Sequence, residues 1–276
     1  MRVFRVSSVF LVVLAALLSG CSWFSRDKGN PLDTLPVEGL YQRGVESLDN
    51  RSWGNAARAF ERLIARFPFG PYTEQATINL AYVQYKDFKP EDAYSTINRF
   101  IKTYPTHRHI DYAYYLRGLI NFNRSAGFLE RFVGQNMTKR DQVNVRQSFD
   151  DFGALVSRYP NSRYADDARQ RMIYLRNGMA QSELNIAHYY LKRGAYVAAS
   201  NRAKAIIETY PQSPQVADAL ALMMTAYARL GQDQLASDAR RVLELNAPQH
   251  PALSDDRWPR YPSNWWRLVP LMDRGQ

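Results

Sequence analysis

Apolar side chains recur at helical spacing in four segments of the chain, each of which ends at a proline. Counted from a small residue twelve positions before that proline, the apolar positions are +4, +7, +8 and +11. They hold Phe60, Leu63, Ile64 and Phe67, then Ile97, Phe100, Ile101 and Tyr104, then Phe152, Leu155, Val156 and Tyr159, and finally Ala203, Ile206, Ile207 and Tyr210. This spacing places each set on one face of an α-helix, and its repetition in one frame predicts a helical repeat.

A fifth segment keeps the frame but loses most of the apolar face, since its four positions hold Arg240, Leu243, Glu244 and Ala247. The last repeat of an array has no neighbour to cover its outer face, so a more polar composition is expected there. The small residues of the five segments are Ala56, Ala93, Ser148, Ala199 and Ala236, and their prolines are Pro68, Pro105, Pro160, Pro211 and Pro248. Each proline should end a helix, because its ring cannot continue helical hydrogen bonding.

The repeated unit is therefore helix, turn, helix and proline. The interval from Pro68 to Pro105 is 37 residues, close to the roughly 34 residues of the tetratricopeptide repeat. The first unit resembles that repeat most clearly, at Gly44, Ala56, Phe60 and Pro68. We expect an all-α fold, a tetratricopeptide-like superhelix of five helical hairpins with about ten helices.

Two intervals between prolines are longer than the others. From Pro105 to Pro160 there are 55 residues, and the surplus falls at residues 125–141, which predicts an insertion in unit three between its two helices. From Pro160 to Pro211 there are 51 residues, and residues 163–193 are helical in pattern throughout. This pattern predicts a long first helix in the fourth unit.

The N-terminal residues have the pattern of an export signal. Arg2 and Arg5 precede an unbroken apolar run at residues 9–18, long enough for a signal-peptide core and too short to span a bilayer. The run leads into residues 18–21, Leu-Ser-Gly-Cys, which resemble the bacterial lipobox. Cys21 is the only cysteine, so no internal disulfide can form, and the expected modification is a covalent lipid on Cys21. The alternative is an ordinary cleaved signal beside an unmodified cysteine.

The expected location is the outer membrane, with the chain lipid-anchored on the periplasmic face. Ser22 follows the modified cysteine, at the position where lipoproteins retained in the inner membrane usually have Asp. Removing the signal peptide lowers the formal net charge from +10 to about +8. In an exported chain this basic balance fits anionic lipid head groups or acidic protein partners, and it argues against nucleic acid.

The composition divides the chain into four segments. We expect a lipoprotein signal peptide at residues 1–20, a flexible tether at residues 21–36, the repeat domain at residues 37–250 and a C-terminal tail at residues 251–276. The tail is rich in proline and contains Trp258, Trp265 and Trp266. We expect it to dock on the last repeat of its own chain, and docking on a partner or at the membrane interface is the alternative.

No catalytic constellation or metal site is recognisable, so we expect no enzyme and no cofactor beyond the lipid on Cys21. His107 and His109 stand in a loop without a cysteine nearby, which favours a structural or solvated role over metal binding. The adjacent acidic pairs are Asp150 with Asp151 and Asp166 with Asp167. Adjacent positions on a helix do not face each other, so these pairs are expected to be solvated charges or helix-start residues that suit the helix dipole.

Binding surfaces are better supported by the sequence. In tetratricopeptide arrays the first helices of the hairpins line a concave face that takes extended or helical peptides. In this register the face receives tyrosines of units two and three, namely Tyr82, Tyr85, Tyr112 and Tyr115. The alternative is that some of these rings belong to the core.

Several longer strings resemble the BamD family, lipoproteins of the machinery that assembles β-barrel proteins in the outer membrane. They are FPFGPY at 67–72, YPTH at 104–107, IDY and YLRGL within 110–119, YPNSRY at 159–164 and RGAYVAASNR at 193–202. With the lipobox, the resemblance covers roughly residues 18–250. It implies a scaffold that binds the barrel-forming subunit through its periplasmic domains, binds smaller accessory lipoproteins, and helps recognise unfolded outer-membrane substrates.

The resemblance also implies roles for individual residues. It implies that the fourth unit contacts the barrel subunit, through Arg193, Tyr196, Asn201 and Arg202. It also implies that substrate peptide is received by Phe69, Tyr72, Tyr82, Tyr85, Tyr112 and Tyr115. The tail after Pro251 does not match the family. The competing hypotheses are a tetratricopeptide lipoprotein that pilots a secretin or organises cell-wall synthesis, and a periplasmic hydrolase that uses the repeat as a substrate-binding arm.

Overall fold

The computed structural model describes residues 31–124, 142–255 and 258–259. The α-helices of this part are α1 Val37–Asp49, α2 Trp53–Arg66, α3 Pro71–Lys86, α4 Pro90–Thr103, α5 Ile110–Arg124, α6 Gln142–Arg158, α7 Ala165–Lys192, α8 Tyr196–Thr209, α9 Val216–Arg229 and α10 Asp233–Asn246. Short 3₁₀ turns lie at Pro31–Asp33 and Pro251–Leu253. No strand occurs in the described ranges, and the predicted all-α class is confirmed.

Consecutive helices pair into hairpins. α1 packs on α2, α5 on α6, α7 on α8 and α9 on α10, and α3 shares a buried apolar cluster with α4. Successive hairpins also touch, with α4 on α5, α6 on α7 and α8 on α9. Packing between nearest neighbours along the chain is typical of helical repeats, and it confirms the tetratricopeptide-like arrangement.

The described residues separate into two compact units, with the division between residues 76 and 77. In the first unit, α1 and α2 enclose the fully buried ring of Phe60. In the second, one apolar cluster extends from Ile78 in α3 to Ala226 in α9. A smaller cluster joins α9 and α10 to the second 3₁₀ turn.

The second helix of each hairpin ends two residues before its proline. The last helical residues are Arg66, Thr103, Arg158, Thr209 and Asn246. The next residue leaves the helical conformation, with φ/ψ of −128°/76° at Phe67 and −126°/61° at Tyr104. Proline disfavours helical geometry in the residue that precedes it, so the five prolines set the ends of the hairpins as the sequence predicts.

The apolar positions of the repeat form the core. Positions +4 and +7 of the first four repeats are fully buried, namely Phe60, Leu63, Ile97, Phe100, Phe152, Leu155, Ala203 and Ile206. In the fifth repeat Leu243 is fully buried, whereas Arg240 and Glu244 are exposed and form an ion pair at 2.8 Å. The predicted decay of the apolar face at the end of the array is therefore present in α10.

In two hairpins a glycine of the first helix faces a phenylalanine of the second. A Cβ at Gly44 would lie 2.4 Å from Cε1 of Phe60, and a Cβ at Gly118 would lie 2.6 Å from Cε1 of Phe152. Both rings are fully buried. Only glycine lets the paired helices approach this closely without displacing the ring.

α7 is one helix of 28 residues, Ala165–Lys192, in agreement with the uninterrupted pattern of the sequence. Its length distinguishes the fourth hairpin, since the other first helices that the structure describes have 13 to 16 residues. The insertion predicted at residues 125–141 lies outside the described residues. The signal peptide and Cys21 also lie outside them.

The predicted flexible tether, residues 21–36, is too long at its C-terminal end. The 3₁₀ turn Pro31–Asp33 belongs to it, and Arg66 of α2 holds the following backbone. Nη1 of Arg66 donates to the carbonyl oxygens of Leu32 at 3.1 Å and Leu35 at 2.8 Å. The proline-rich composition gives no signal for these contacts, because the donor lies about thirty residues further along the chain.

Asp151 corrects the expectation that both acidic pairs are solvated charges. Its side chain is 1% exposed, and Nη2 of Arg117 lies 2.7 Å from its Oδ1. Asn121 donates to Oδ2 at 2.6 Å. Burial raises the pKa of Asp151, while Arg117 and Asn121 act in the opposite direction. The carboxylate ties α5 to α6, so its role is structural, whereas Asp150 is exposed as expected.

Gly118→Ala should destabilise the protein by about 1–3 kcal/mol, because the new methyl group overlaps the Phe152 ring in a close-packed core. Gly153→Ala in α6 is the matched control, since a Cβ there would meet only Met172 Cε at 3.5 Å. The control should be neutral or stabilising by about 0.5–1 kcal/mol, the ordinary effect of Gly to Ala within a helix. Urea unfolding followed by circular dichroism measures both. A Gly118→Ala variant as stable as the wild type would contradict the close-approach argument.

Candidate functional site

The predicted peptide-receiving residues of the first compact unit lie at the turn from α2 to α3. Phe69 is 88% exposed and Tyr72 is 38% exposed. Gly70 shapes the turn with a φ of +114°, a conformation that side-chain-bearing residues rarely adopt. The ring of Tyr72 lies 5.4 Å from that of Tyr41 in α1. Tyr72 is therefore braced by the first hairpin, and Phe69 projects into solvent.

In the second compact unit the other four predicted residues lie near one another, and two of them contact a fifth tyrosine. We call Tyr82, Tyr85, Tyr112, Tyr115 and Tyr164 the tyrosine cluster. The rings of Tyr115 and Tyr164 stack with centroids 4.9 Å apart and an interplanar angle of 18°, and Tyr112 lies 5.3 Å from Tyr164. Tyr82 and Tyr85 are near enough to Tyr112 to influence its ionisation.

Tyr164 was not predicted as a site residue, although it ends one of the family-like strings. It is the residue directly before α7, and loop residues at such positions carry no periodic signal. The four predicted tyrosines of the cluster are half-buried and pack against the buried core. These rings are therefore partly buried in the core and partly exposed to solvent.

Polar groups from α5 and α7 hold the hydroxyls of the cluster. Oη of Tyr115 donates to Oδ2 of Asp167 at 2.6 Å, and Nε of Arg171 donates to the same oxygen at 2.5 Å. Nδ2 of Asn123 donates to Oη of Tyr85 at 2.9 Å. These bonds fix the orientation of the rings, because a half-buried phenol is placed by its hydrogen-bond partner as well as by packing.

Two phenols of the cluster have raised pKa values. Burial and the neighbouring Tyr82 and Tyr164 raise the pKa of Tyr112 well above its usual range. Burial and the hydrogen bond to Asp167 raise the pKa of Tyr115. Burial acts to raise the pKa of Asp167, but hydrogen bonds from Arg171 and Tyr115 bring it below the ordinary value. Tyr112 and Tyr115 thus lie beside one internally paired carboxylate.

The predicted partner-binding residues surround the turn from α7 to α8. Arg193 is exposed, and its guanidinium lies 5.3 Å from the centroid of the Tyr189 ring. Asn201 and Arg202 are also exposed on α8, and Tyr196 is half-buried. Nη1 of Arg202 pairs with a carboxylate of its own chain, Oε2 of Glu183 in α7, at 3.0 Å. The sequence pattern did not single out Glu183.

The start of the C-terminal tail lies against the repeats. Trp258 is half-buried, with its ring 5.4 Å from that of His250 and 5.9 Å from that of His188 in α7. Nε2 of His250 lies 3.1 Å from Oδ1 of Asp218 in α9. Burial lowers the pKa of His188. Trp258 thus docks on its own chain, and the other two tail tryptophans lie outside the described residues.

The described ranges contain no group of three His, Cys, Asp or Glu side chains that could hold a metal ion. His107 and His109 have ring centroids 5.6 Å apart, and Nδ1 of His107 accepts from the backbone N–H of His109 at 3.1 Å. His107 also meets the buried ring of Phe100 edge-on at 5.2 Å. Through these contacts His107 stabilises the loop that follows α4.

Comparisons with known proteins identify relatives along most of the chain. The family model named YfiO and described as an outer membrane lipoprotein matches residues 33–243. A protein of Xylella fastidiosa strain Temecula1, named outer membrane protein assembly factor BamD, is 48% identical over 264 residues, covering 95% of this chain and 89% of the relative. The protein of that name from Neisseria meningitidis serogroup A is 41% identical over 84% of this chain and 86% of the relative.

A more distant relative with the same name occurs in Vibrio cholerae, 34% identical over 84% of this chain and 94% of the relative. Among solved structures, the crystal structure of PilW, a type IV pilus biogenesis factor, matches with a TM-score of 0.33 and 13% identity over 79% of this chain and 80% of that chain. Similarity at that level supports no functional conclusion. No helix in the described part of this chain is long and apolar enough to cross a bilayer.

Proposed function

This chain belongs to the BamD family of outer membrane protein assembly factors, and on that premise we propose that it is a non-enzymatic scaffold for the insertion and folding of outer-membrane β-barrel proteins. Its partners are unfolded barrel substrates, the barrel-forming subunit of the machinery through its periplasmic domains, and smaller accessory lipoproteins. The observation that carries the proposal is the tyrosine cluster, a braced aromatic face on a body of helical hairpins.

The proposed location is the periplasmic face of the outer membrane, with a covalent lipid on Cys21. The apolar run at residues 9–18 and the Leu-Ser-Gly-Cys string support this anchor. More than one acyl chain is needed for stable attachment, since a single chain gives marginal, reversible membrane binding. About ten residues separate Cys21 from the docked turn Pro31–Asp33, so a fully extended linker keeps the first hairpin within about 35 Å of the lipid.

Cys21→Ala should leave the precursor without lipid, and the protein should leave the outer-membrane fraction after a high-salt wash. Ser22→Asp is the matched control, because it keeps the lipid and should move the protein to the inner membrane. Sucrose-gradient fractionation with immunoblotting measures both distributions. A Cys21→Ala protein that stays with the outer membrane after the wash would reveal another anchor and contradict the proposal.

The tyrosine cluster is suited to an unfolded strand of a β-barrel. Such strands alternate apolar and polar residues and end in aromatic girdles, and in the unfolded state their backbone groups have no sheet partners. Tyrosine offers a ring for apolar and aromatic side chains together with a hydroxyl at its rim. An ordinary phenol is already uncharged near pH 7, and the pKa values of Tyr112 and Tyr115 are raised further. Burial under a peptide therefore carries no cost of desolvating a phenolate at these two rings.

Tyr115→Ala should weaken binding of a barrel-strand peptide about tenfold, the effect of removing a central aromatic contact. The probe is a fluorescein-labelled peptide of about ten residues copied from a transmembrane β-strand, the length that spans a bilayer. Fluorescence anisotropy gives the dissociation constant. Phe88→Ala removes an aromatic ring that is 68% exposed and outside the cluster, and it should bind like the wild type. Equal affinities for Tyr115→Ala and wild type would refute the peptide-binding role.

The turn from α7 to α8 is the proposed contact with the barrel subunit. Arg193, Asn201 and Arg202 are exposed there, and guanidinium groups can pair with two oxygens of a carboxylate across an interface. The internal pair with Glu183 changes the expectation for Arg202, because a partner carboxylate would share or replace Glu183. The guanidinium of Arg193 lies over the ring of Tyr189, and Arg193 is the simpler test of the surface.

Arg193→Glu should weaken association with the periplasmic domains of the barrel subunit roughly tenfold, mainly through a slower on-rate that is less sensitive to salt. Glu183→Gln should leave binding equal or tighter, because it releases Arg202 from its internal pair. Surface plasmon resonance at two ionic strengths measures both variants. The assignment would be wrong if Arg193→Glu bound like the wild type, or if pull-down from solubilised membranes recovered a secretin and no barrel-assembly subunit.

A further inference from the structure

The ring of Trp258 lies among side chains whose positions are fixed by hydrogen bonds and that belong to more than one helix. His250 is held by Asp218 at 3.1 Å, and its Nδ1 accepts the backbone N–H of Ala252 at 3.2 Å. Trp258 meets the fixed ring of His250 at 5.4 Å with an interplanar angle of 70°. It also packs against both apolar clusters of the second compact unit. The ring thus contacts His188 of α7 and the ring of His250, which is bonded to Asp218 of α9.

The repeat register places this contact on the first-helix face. His188 precedes the small residue Ala199 by eleven positions, as Tyr82 precedes Ala93 by eleven positions. Equivalent positions in a helical repeat point to the same side of the array. His188 is therefore the counterpart, in the fourth hairpin, of a member of the tyrosine cluster in the second.

We propose that Trp258 is an intramolecular ligand that occupies the fourth-hairpin part of the peptide-binding face and competes there with unfolded substrate. This inference rests on the proposed function, since it assigns a peptide role to the face on which His188 lies. The competitor is the tail of the same chain. The part of the face that substrate can reach without displacing Trp258 is then the tyrosine cluster of the second and third hairpins.

An internal competitor acts at high effective concentration because its tether is short. Four residues lie between the 3₁₀ turn Pro251–Leu253 and Trp258, and short tethers give effective concentrations in the millimolar range. Substrate that reaches α7 must displace the indole, so its apparent affinity falls by the fraction of molecules in which the face is open. Weak substrates would be confined to the tyrosine cluster, and strong ones would extend along α7.

The test is Trp258→Ala in the full, lipidated chain, purified in detergent. The probe is a fluorescein-labelled peptide of about twenty residues that copies a β-hairpin of a barrel protein, two strands of the length that spans a bilayer. Removing one aromatic contact should tighten its binding about tenfold. Trp258→Phe is the matched control, because it keeps an aromatic ring at His188 and should retain an affinity near that of the wild type.

A deletion of residues 256–276 gives a second route to the same open face and should also tighten binding. Thermal unfolding of each variant checks that the repeats remain folded. Unchanged or weaker binding by both Trp258→Ala and the deletion, with Tyr115→Ala still weakening the wild type, would overturn the competitor and leave the peptide face intact. Peptide binding that responds to neither Tyr115→Ala nor Trp258→Ala would overturn both.

Discussion

The close approach of the two helices in a hairpin is the contact on which the other features of this fold depend. In the first and third hairpins a glycine makes room for a fully buried phenylalanine ring, 2.4 Å and 2.6 Å from where a Cβ would stand. The second and fourth hairpins have alanine at the same register position, opposite smaller partners, in the fully buried pairs Ala81 with Ile97 and Ala187 with Ala203. In these two hairpins the first helix has the extra methyl group of alanine, and the second helix has a smaller side chain than phenylalanine. Interaxial distance depends on the side chains at the contact, so this exchange of volume keeps successive hairpins similar enough to stack.

The tyrosine cluster follows from that packing. The second helices supply the fully buried rings of Phe60, Phe100 and Phe152, and the first helices of the second and third hairpins carry half-buried tyrosines that pack against the same core. Proline ends α6 at Arg158, and the short loop that follows brings Tyr164 onto the rings of Tyr112 and Tyr115. Asp167 and Arg171, one turn apart on α7, then hold the Tyr115 hydroxyl. The result is a preorganised aromatic face, which loses little side-chain entropy when a ligand binds.

The parts of the structure that the sequence predicts are those governed by periodicity and by proline. Helix class, hairpin pairing and the ends of the second helices are local properties, so Pro68 and its four counterparts locate them correctly. The contacts that escape prediction join residues distant in sequence. Asp151 looks like a surface charge until Arg117, more than thirty positions away, is placed 2.7 Å from it. Arg66 holds a segment whose composition resembles a tether, and Tyr164 joins the cluster through a loop without periodic signal.

α7 connects the surfaces proposed for substrate, tail and partner. Asp167 in the first turn of α7 accepts from Tyr115 of the tyrosine cluster and from Arg171 one turn later. His188 near the end of α7 meets Trp258, and Arg193 directly follows the helix. At 1.5 Å per residue, Arg171 and Arg193 are about 33 Å apart along an uninterrupted helix. A continuous helix is more rigid than a loop. A substrate bound at the cluster and a partner bound at the α7–α8 turn would therefore keep a fixed separation. The 28 residues of α7 thus separate the two proposed binding surfaces along one helix, and the contact of Trp258 with His188 lies between them.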